Sequence, residues 1–207
     1  MSDLAVLAAD GTTVAVLRAL FARERWDLAL GCGRFGIEPE RDIFHDALHR
    51  DGGVYRNAQE LLRPLLGSYR YAMVILDSQF GSERPADEIR VEVGARLDQN
   101  GWRGRSNVVV IDPELESWLW QDSPHVEDAL GVPQRSLRQQ LLRSGQWPEG
   151  ATKPLQPKET FAQLIKNPLK PKVVYSRIAR SVSTRGCTDP AFAHFCGALR
   201  SWFPLEP

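Results

Sequence analysis

The sequence lacks the features that mark several large classes of protein. Its 207 residues include three cysteines, Cys32, Cys187 and Cys196, and no CxxC pair. An odd number of scattered cysteines argues against a disulfide framework and predicts a reduced, cytoplasmic chain. No apolar run approaches the roughly 20 residues that a membrane-spanning helix needs. We therefore expect a cytoplasmic, globular protein that does not associate with a membrane.

Charge of one sign is not in excess either. Lys and Arg together number 26, as do Asp and Glu, so the formal net charge is zero. Sequence-independent binding to nucleic acid usually rests on a strongly basic surface, which this composition does not predict. Local basic patches remain compatible with it, and nucleic acid stays a candidate partner. The GxxxxGK[ST] phosphate loop and the GxSxG nucleophile elbow are absent, which disfavours a P-loop NTPase and an α/β-hydrolase.

Apolar runs alternate with amphipathic stretches over residues 4–121. The pattern predicts strands at 4–9, 28–30, 71–76 and 107–111, and helices at 12–25, 55–66, 86–99 and 114–121. The run at 71–76 is apolar throughout, which is typical of a strand buried on both faces. The alternation predicts an α/β fold, with a mostly parallel sheet and helices on both faces.

The pattern changes after Ser123-Pro124. Helices are predicted at 125–130, 134–143, 158–165, 173–183 and 190–202, with no convincing strand among them. We therefore predict an α/β core at 1–123 and a C-terminal helical region at 124–207. The helical region is expected to pack on the core within one structural domain.

Carboxylates follow three of the predicted strands. Asp10, Asp77 and Asp112 come at the strand ends, and Glu114 and Glu116 lie just beyond the last one. Ligands of open parallel sheets bind outside the carboxyl ends of the strands, so these side chains would meet if the strands are neighbours. Carboxylate oxygens are the ligands that Mg²⁺ prefers. All five are predicted metal ligands, and Asp10, Asp77 and Glu114 form the predicted catalytic set.

Each of these carboxylates also has a structural interpretation. Asp112-Pro113-Glu114 is a strong helix start, in which Asp112 would be the cap and Glu114 would favour the first turn. Residues two apart on a helix point about 200° apart, so at most one of Glu114 and Glu116 should face the site. Because Leu115 and its helical neighbours are expected to point inward, the pattern favours Glu114 slightly.

Basic and histidine residues add further candidates. Lys153 and Lys158 flank a Pro-rich segment and are candidate phosphate ligands, although a solvated loop explains them as well. His45 and His49 have the i, i+4 spacing of zinc ligands on a helix, but without the Glu of an HExxH motif. Solvated loop histidines are the plainer interpretation of that pair.

Four strings carry a resemblance to known proteins: VIDPELESWLW (110–120), DSPHV (122–126), PKET (157–160) and CTDPAF (187–192). With them, nearly the whole chain resembles a family of bacterial proteins found beside phage-defence genes, which includes a component of methylation-associated defence systems. The resemblance implies a role in antiviral defence. It also implies other defence-system proteins as partners.

More distantly, the layout resembles the TOPRIM fold, the metal-binding domain of topoisomerases, primases and related nucleases. In that fold a Glu follows the first strand and an Asp-x-Asp motif follows a later one, and together they bind Mg²⁺. Asp10 stands in the place of the Glu, and Asp77-Ser78-Gln79 keeps only the first Asp of the pair. The resemblance implies a Mg²⁺-dependent phosphodiesterase or nuclease in which Asp112 or Glu114 completes the site. The alternative is a non-catalytic binding or regulatory subunit of a defence complex.

Overall fold

A computed structural model describes residues 2–48, 51–80, 84–133, 136–165 and 171–205. Within them, four strands form one sheet: β1 (Leu4–Ala8), β2 (Ile43–Phe44), β3 (Tyr71–Asp77) and β4 (Ser106–Ile111). The strands lie in the order β2-β1-β3-β4, and each neighbouring pair is parallel. The predicted α/β fold with a parallel sheet is confirmed.

The strand order places a topological switch point between β1 and β3. From β1 the chain moves to β2 on one side, then returns past β1 to form β3 and β4 on the other side. Connections that leave neighbouring strands in opposite directions open a crevice at their carboxyl ends. The ends of β1 and β3 are therefore the place in this fold where a ligand site is expected.

Helices cover both faces of the sheet. Successive residues of a strand point to opposite faces, so Val6 of β1 packs beside α1 (Gly11–Phe21), whereas Leu7 packs on the other side. That other side is covered by α4 (Asp51–Leu62) and α5 (Ala86–Leu97). The apolar residues of β1, β3 and β4 are buried, as their continuous apolarity predicts.

The chain after residue 123 forms a helical layer over the α1 face. Its helices are α7 (Pro124–Leu130), α8 (Leu137–Arg143), α9 (Pro157–Leu164), α10 (Pro171–Ser181) and α11 (Pro190–Trp202). Helix α10 packs on α1, and α11 packs on β4. These helices share one hydrophobic core with the sheet. Among the described residues, no helix is long and apolar enough to cross a membrane.

Some local predictions are wrong. The predicted strand at 28–30 is the end of helix α2 (Trp26–Leu30), which stops at Gly31 with φ 71°. Strand β2, preceded by the short helix α3 (Pro39–Asp42), lies between the elements predicted at 28–30 and 55–66, where the pattern predicts neither strand nor helix. The helix predicted from Glu114 is the short α6 (Glu116–Leu119). Gln134 and Arg135, at the start of another predicted helix, lie outside the described residues.

Candidate functional site

A cleft of about 710 Å³ opens at the carboxyl ends of β1 and β3. In the parallel register of these strands, Ala8 pairs with Ile75. Two residues further along the chain in each case, Asp10 follows β1 and Asp77 ends β3, and both line the cleft. The sequence-based expectation that strand-end carboxylates meet is therefore met for these two residues.

Other elements complete the walls of the cleft. Asp51 comes from the first turn of α4, and Glu116 is the first residue of α6. Lys158 comes from α9, and Lys172 and Tyr175 come from α10. The cleft thus joins an acidic floor, built on the sheet, to a rim that carries lysines from the C-terminal layer.

Asp77 lines the cleft with a buried carboxylate oxygen, Oδ1, that lacks a hydrogen-bond partner among the described residues. Its backbone N–H donates to Asp51 Oδ1 at 2.9 Å, which holds the two residues together. Burial, followed by the negative charges of Asp51, Asp10 and Glu116, raises the pKa of Asp77 to about 8, although Lys158 opposes the shift. Without a cation nearby, the carboxyl group therefore holds a proton near neutral pH.

Asp51 and Glu116 are shifted in the same direction. Burial raises the pKa of Asp51 despite the hydrogen bond from the Asp77 N–H, and the charge of Asp10 adds to the increase. Burial also raises the pKa of Glu116, with a further increase from the charge of Glu114. Burial, together with Glu116, raises the pKa of Tyr175, so its phenol stays protonated and donates to the Glu116 carboxylate.

Asp10 lines the cleft but is also the N-cap of α1. Its Oδ1 accepts hydrogen bonds from the backbone N–H groups of Thr12 and Thr13, and its Oδ2 accepts one from Thr13 Oγ1 at 2.7 Å. A cap of this kind contributes about 1 kcal/mol to helix stability. Asp10 therefore has a complete structural role, while its charge still acts on Asp51 and Asp77.

Asp112 and Glu114 do not line the cleft. The sequence predicts that Asp112 caps a helix, but it does not cap α6. It accepts a hydrogen bond from Ser78 Oγ at 2.7 Å instead. Glu114 is 7% exposed and binds Lys158 twice, accepting its backbone N–H at 3.2 Å and pairing with Nζ at 3.2 Å. The structure thus places Glu116 on the cleft wall and gives Glu114 the role of holding Lys158.

The two predicted phosphate ligands are placed differently. Lys158 lines the cleft; burial lowers its pKa, but Glu114, Glu116 and Asp77 together outweigh this and raise it. Lys153 pairs instead with the buried Asp189, at 3.1 Å, and does not line the cleft.

Histidine is present at one edge of the cleft. His45 lines it directly after β2 and is not on a helix, which agrees with its interpretation as a loop histidine. His49 lies outside the described residues. A Cβ built on Gly11 would lie 3.2 Å from His45 Nε2 and 2.8 Å from Lys172 Nζ, so both groups lie against the start of α1.

Sequence reasoning did not single out Asp51, Lys172 or Tyr175 as site residues. Asp51 precedes Gly52-Gly53, and adjacent glycines disfavour a helix, yet Asp51 lies in the first turn of α4. An acid in a first helical turn is a known signal, and the following glycines concealed it. Lys172 and Tyr175 gave no local signal, because only the packing of α10 on α1 brings them to the cleft.

The fit of the cleft to a metal ion is limited but specific. Among the described residues, no three His, Cys, Asp or Glu side chains form a group that could hold a metal ion. Mg²⁺, however, is often bound by one or two carboxylates, with waters and substrate phosphates as the other ligands. The free Oδ1 of Asp77, with Asp51 or Asp10 beside it, fits that kind of site. The arrangement suits a cation that binds together with a phosphate.

Comparison with protein-family models, with curated proteins and with solved structures finds no match for this chain.

Proposed function

We propose that the cleft is the active site of a divalent-cation-dependent phosphodiesterase or nuclease. The observation that supports it best is the buried Oδ1 of Asp77, which has no partner among the described residues and lies at the switch point of the sheet. Leaving a buried carboxylate oxygen unpaired beside other carboxylates destabilises a fold. Groups in that condition cluster at functional sites.

In this proposal each charged residue of the cleft has its own role. Asp77, with Asp51 or Asp10, would hold the cation. A bound Mg²⁺ would neutralise charge on a phosphoryl group and lower the pKa of a bound water. Lys158, held by Glu114, presents its ammonium group to the phosphate. Glu116, oriented by Tyr175, is placed to accept a proton from the attacking water.

The resemblance to phage-defence proteins supports a wider role in bacterial antiviral defence. Three of the four strings that carry it are joined by hydrogen bonds beside the cleft: Trp118 Nε1 donates to Asp189 Oδ1, and Trp120 Nε1 donates to the Pro157 carbonyl. These strings therefore build the wall that holds Glu116 and Lys158. Partners among other defence-system proteins belong to the same proposal.

Calorimetric titration with Mg²⁺ and Mn²⁺, with and without inorganic phosphate, tests the metal site. We expect the native protein to bind the cation more tightly with phosphate, and Asp77→Asn to lose that binding. Asp87→Asn is the matched control, because Asp87 is exposed on α5 and pairs with Arg90. Absence of cation binding by the native protein, with phosphate present, would rule out the hydrolase.

A second candidate function is a non-catalytic binding or regulatory subunit. It is favoured by the lack of a three-residue metal group among the described side chains and by the full use of the Asp10 oxygens in capping α1. Phage plating on cells that carry the complete defence system separates the two. Full protection with Asp77→Asn would support the binding subunit, and lost protection with a stably folded variant would support the hydrolase.

A further inference from the structure

We infer that the substrate carries at least two phosphate groups, one bound in the cleft and a second bound in an adjoining groove between α1 and α10. The inference rests on the proposed phosphodiesterase function. The α1–α10 groove has a volume of about 570 Å³ and shares Gly11, His45 and Lys172 with the cleft. A ligand in one can therefore extend directly into the other.

The charges of the α1–α10 groove are opposite to those of the cleft floor. Arg18, Lys172 and Arg180 line it, and Glu40 is the acidic residue of its lining. Glu40 is already paired with Arg18 at 2.5 Å. Among the described residues, this leaves Lys172 and Arg180 without an acidic partner. Exposed ammonium and guanidinium groups bind phosphate through charge-assisted hydrogen bonds.

The groove is partly fixed in shape. Arg18 donates from Nε and Nη2 to the Ile43 carbonyl, at 3.1 and 2.8 Å, so its guanidinium is held against β2. Small side chains on α1, among them Ala15 and Ala19, leave room beside it. Because its Nη1 also pairs with Glu40, Arg18 shapes the wall of the groove and leaves the anion to the other basic side chains.

The junction between the two cavities lies at Gly11. Lys172 Nζ and His45 Nε2 both lie so close to this residue that a side chain larger than that of glycine would contact them. The N-terminus of α1 does not itself supply the anion site, because Asp10 already accepts the N–H groups of Thr12 and Thr13. The second phosphate is therefore bound by side chains, chiefly Lys172 and Arg180.

Binding of two matched probes tests the inference. Thymidine 5′-monophosphate has one phosphate, and 5′-phosphorylated dithymidylate has two; Ca²⁺ replaces Mg²⁺ to limit turnover. We expect the dinucleotide to bind the native protein roughly tenfold more tightly, and the double variant Lys172→Gln/Arg180→Gln to lose most of that advantage. Arg177→Gln is the control, since Arg177 is exposed on α10 and lines neither cavity.

Inorganic pyrophosphate identifies the source of the second phosphate. The affinity of pyrophosphate is compared with that of inorganic phosphate, and the affinity of the dinucleotide with that of its monophosphate. If both ratios are alike, the groove takes a compact polyphosphate. If only the dinucleotide binds more tightly, the groove takes a nucleotide chain. Equal affinity for one and two phosphates would overturn the inference, as would equal losses in Arg177→Gln and in the double variant Lys172→Gln/Arg180→Gln. Either result leaves the Asp77 titration untouched, so the failure of the groove is distinguishable from the failure of the metal site.

Discussion

The buried carboxylates of the cleft and those elsewhere in the fold, here called the compensated set, differ in how well hydrogen-bond donors and cations balance their charge. Glu114, Glu116 and Glu127 are each 7% exposed, yet only Glu116 belongs to the cleft. Glu114 is bound by Lys158, and Glu127 Oε1 accepts the backbone N–H groups of Ser136 and Leu137. Burial alone therefore does not distinguish the carboxylates of the cleft from those that hold the fold together.

The compensated set holds the helical layer together and onto the sheet. Asp189 shows this most fully: it caps α11, accepts Trp118 Nε1 at 3.1 Å and pairs with Lys153. In the cleft, by contrast, Asp10 raises the pKa of Asp51, and both raise the pKa of Asp77. The same residue types thus stabilise one region and are held under electrostatic repulsion in the other.

The largest effect is expected where a compensated carboxylate is removed. Asp189→Ala leaves Trp118 Nε1 and Lys153 unpaired and uncaps α11, so the free energy of unfolding should fall by about 3–5 kcal/mol. Urea unfolding measures it. Asp189→Asn, which keeps the cap, should lose much less. A loss below about 1 kcal/mol for the alanine variant would contradict the structural role of this residue.

Replacing Asp77 should change the free energy of unfolding in the opposite direction, and the change should depend on pH. In metal-free buffer the folded chain keeps a proton on Asp77 up to about pH 8, whereas the unfolded chain releases it near pH 4. The folded state binds more protons in that window, so the contribution of Asp77 to stability is complete below about pH 4 and is lost as pH rises to about 8. Asp77→Asn removes this loss.

The measurement is urea unfolding of Asp77→Asn and the native protein at pH 5 and pH 8, both in EDTA. Between the two pH values, the difference should move in favour of the variant by up to about 3 kcal/mol. Asp87→Asn again serves as the control. A difference that does not change with pH would show that Asp77 is neutralised by a partner in the native fold.

Glu114 and Glu116 are equally buried, and replacing either should change the free energy of unfolding less than the changes above. At pH 8, Glu114→Gln should lower the free energy of unfolding by about 1 kcal/mol, because it weakens the contact with the partly exposed Lys158. Glu116→Gln should leave stability unchanged or raise it, because burial disfavours the charge that this change removes. Thermal unfolding of both variants compares them. Equal losses would remove the distinction between the two sets.

Asp10→Asn should have the smallest effect on stability, and it distinguishes the capping role of Asp10 from a role in metal binding. Asn caps helices about as well as Asp, so Asp10→Asn should change stability by less than about 0.5 kcal/mol. If Asp10 also contributes to the cation site, Mn²⁺ affinity in the presence of phosphate should fall about tenfold, which calorimetry can detect. Unchanged affinity would assign the ligand role to Asp51 beside Asp77.

Much of the fold could be predicted because its central strands are continuous apolar runs. Tyr71–Asp77 and Ser106–Ile111 are identified by apolarity alone, and the alternation with helices predicts a parallel sheet. Strand β2 could not be found this way, since its two residues are a strand only through pairing with β1. The apolar stretch at 28–30 was mistaken for a strand because a run so short does not distinguish a strand from the end of a helix.

The candidate site was predictable only in part. Asp77 could be found, because an acid at the end of a buried strand is expected at the ligand-binding edge of such a sheet. The sequence by itself determined the strands β1, β3 and β4, the acids that follow them and the helical character of the C-terminal region. Only the tertiary structure decided which acids stay uncompensated, because the groups that compensate them come from distant helices. Lys158 reaches Glu114 and Lys153 reaches Asp189, while Asp77 is left with an unpaired oxygen among like charges.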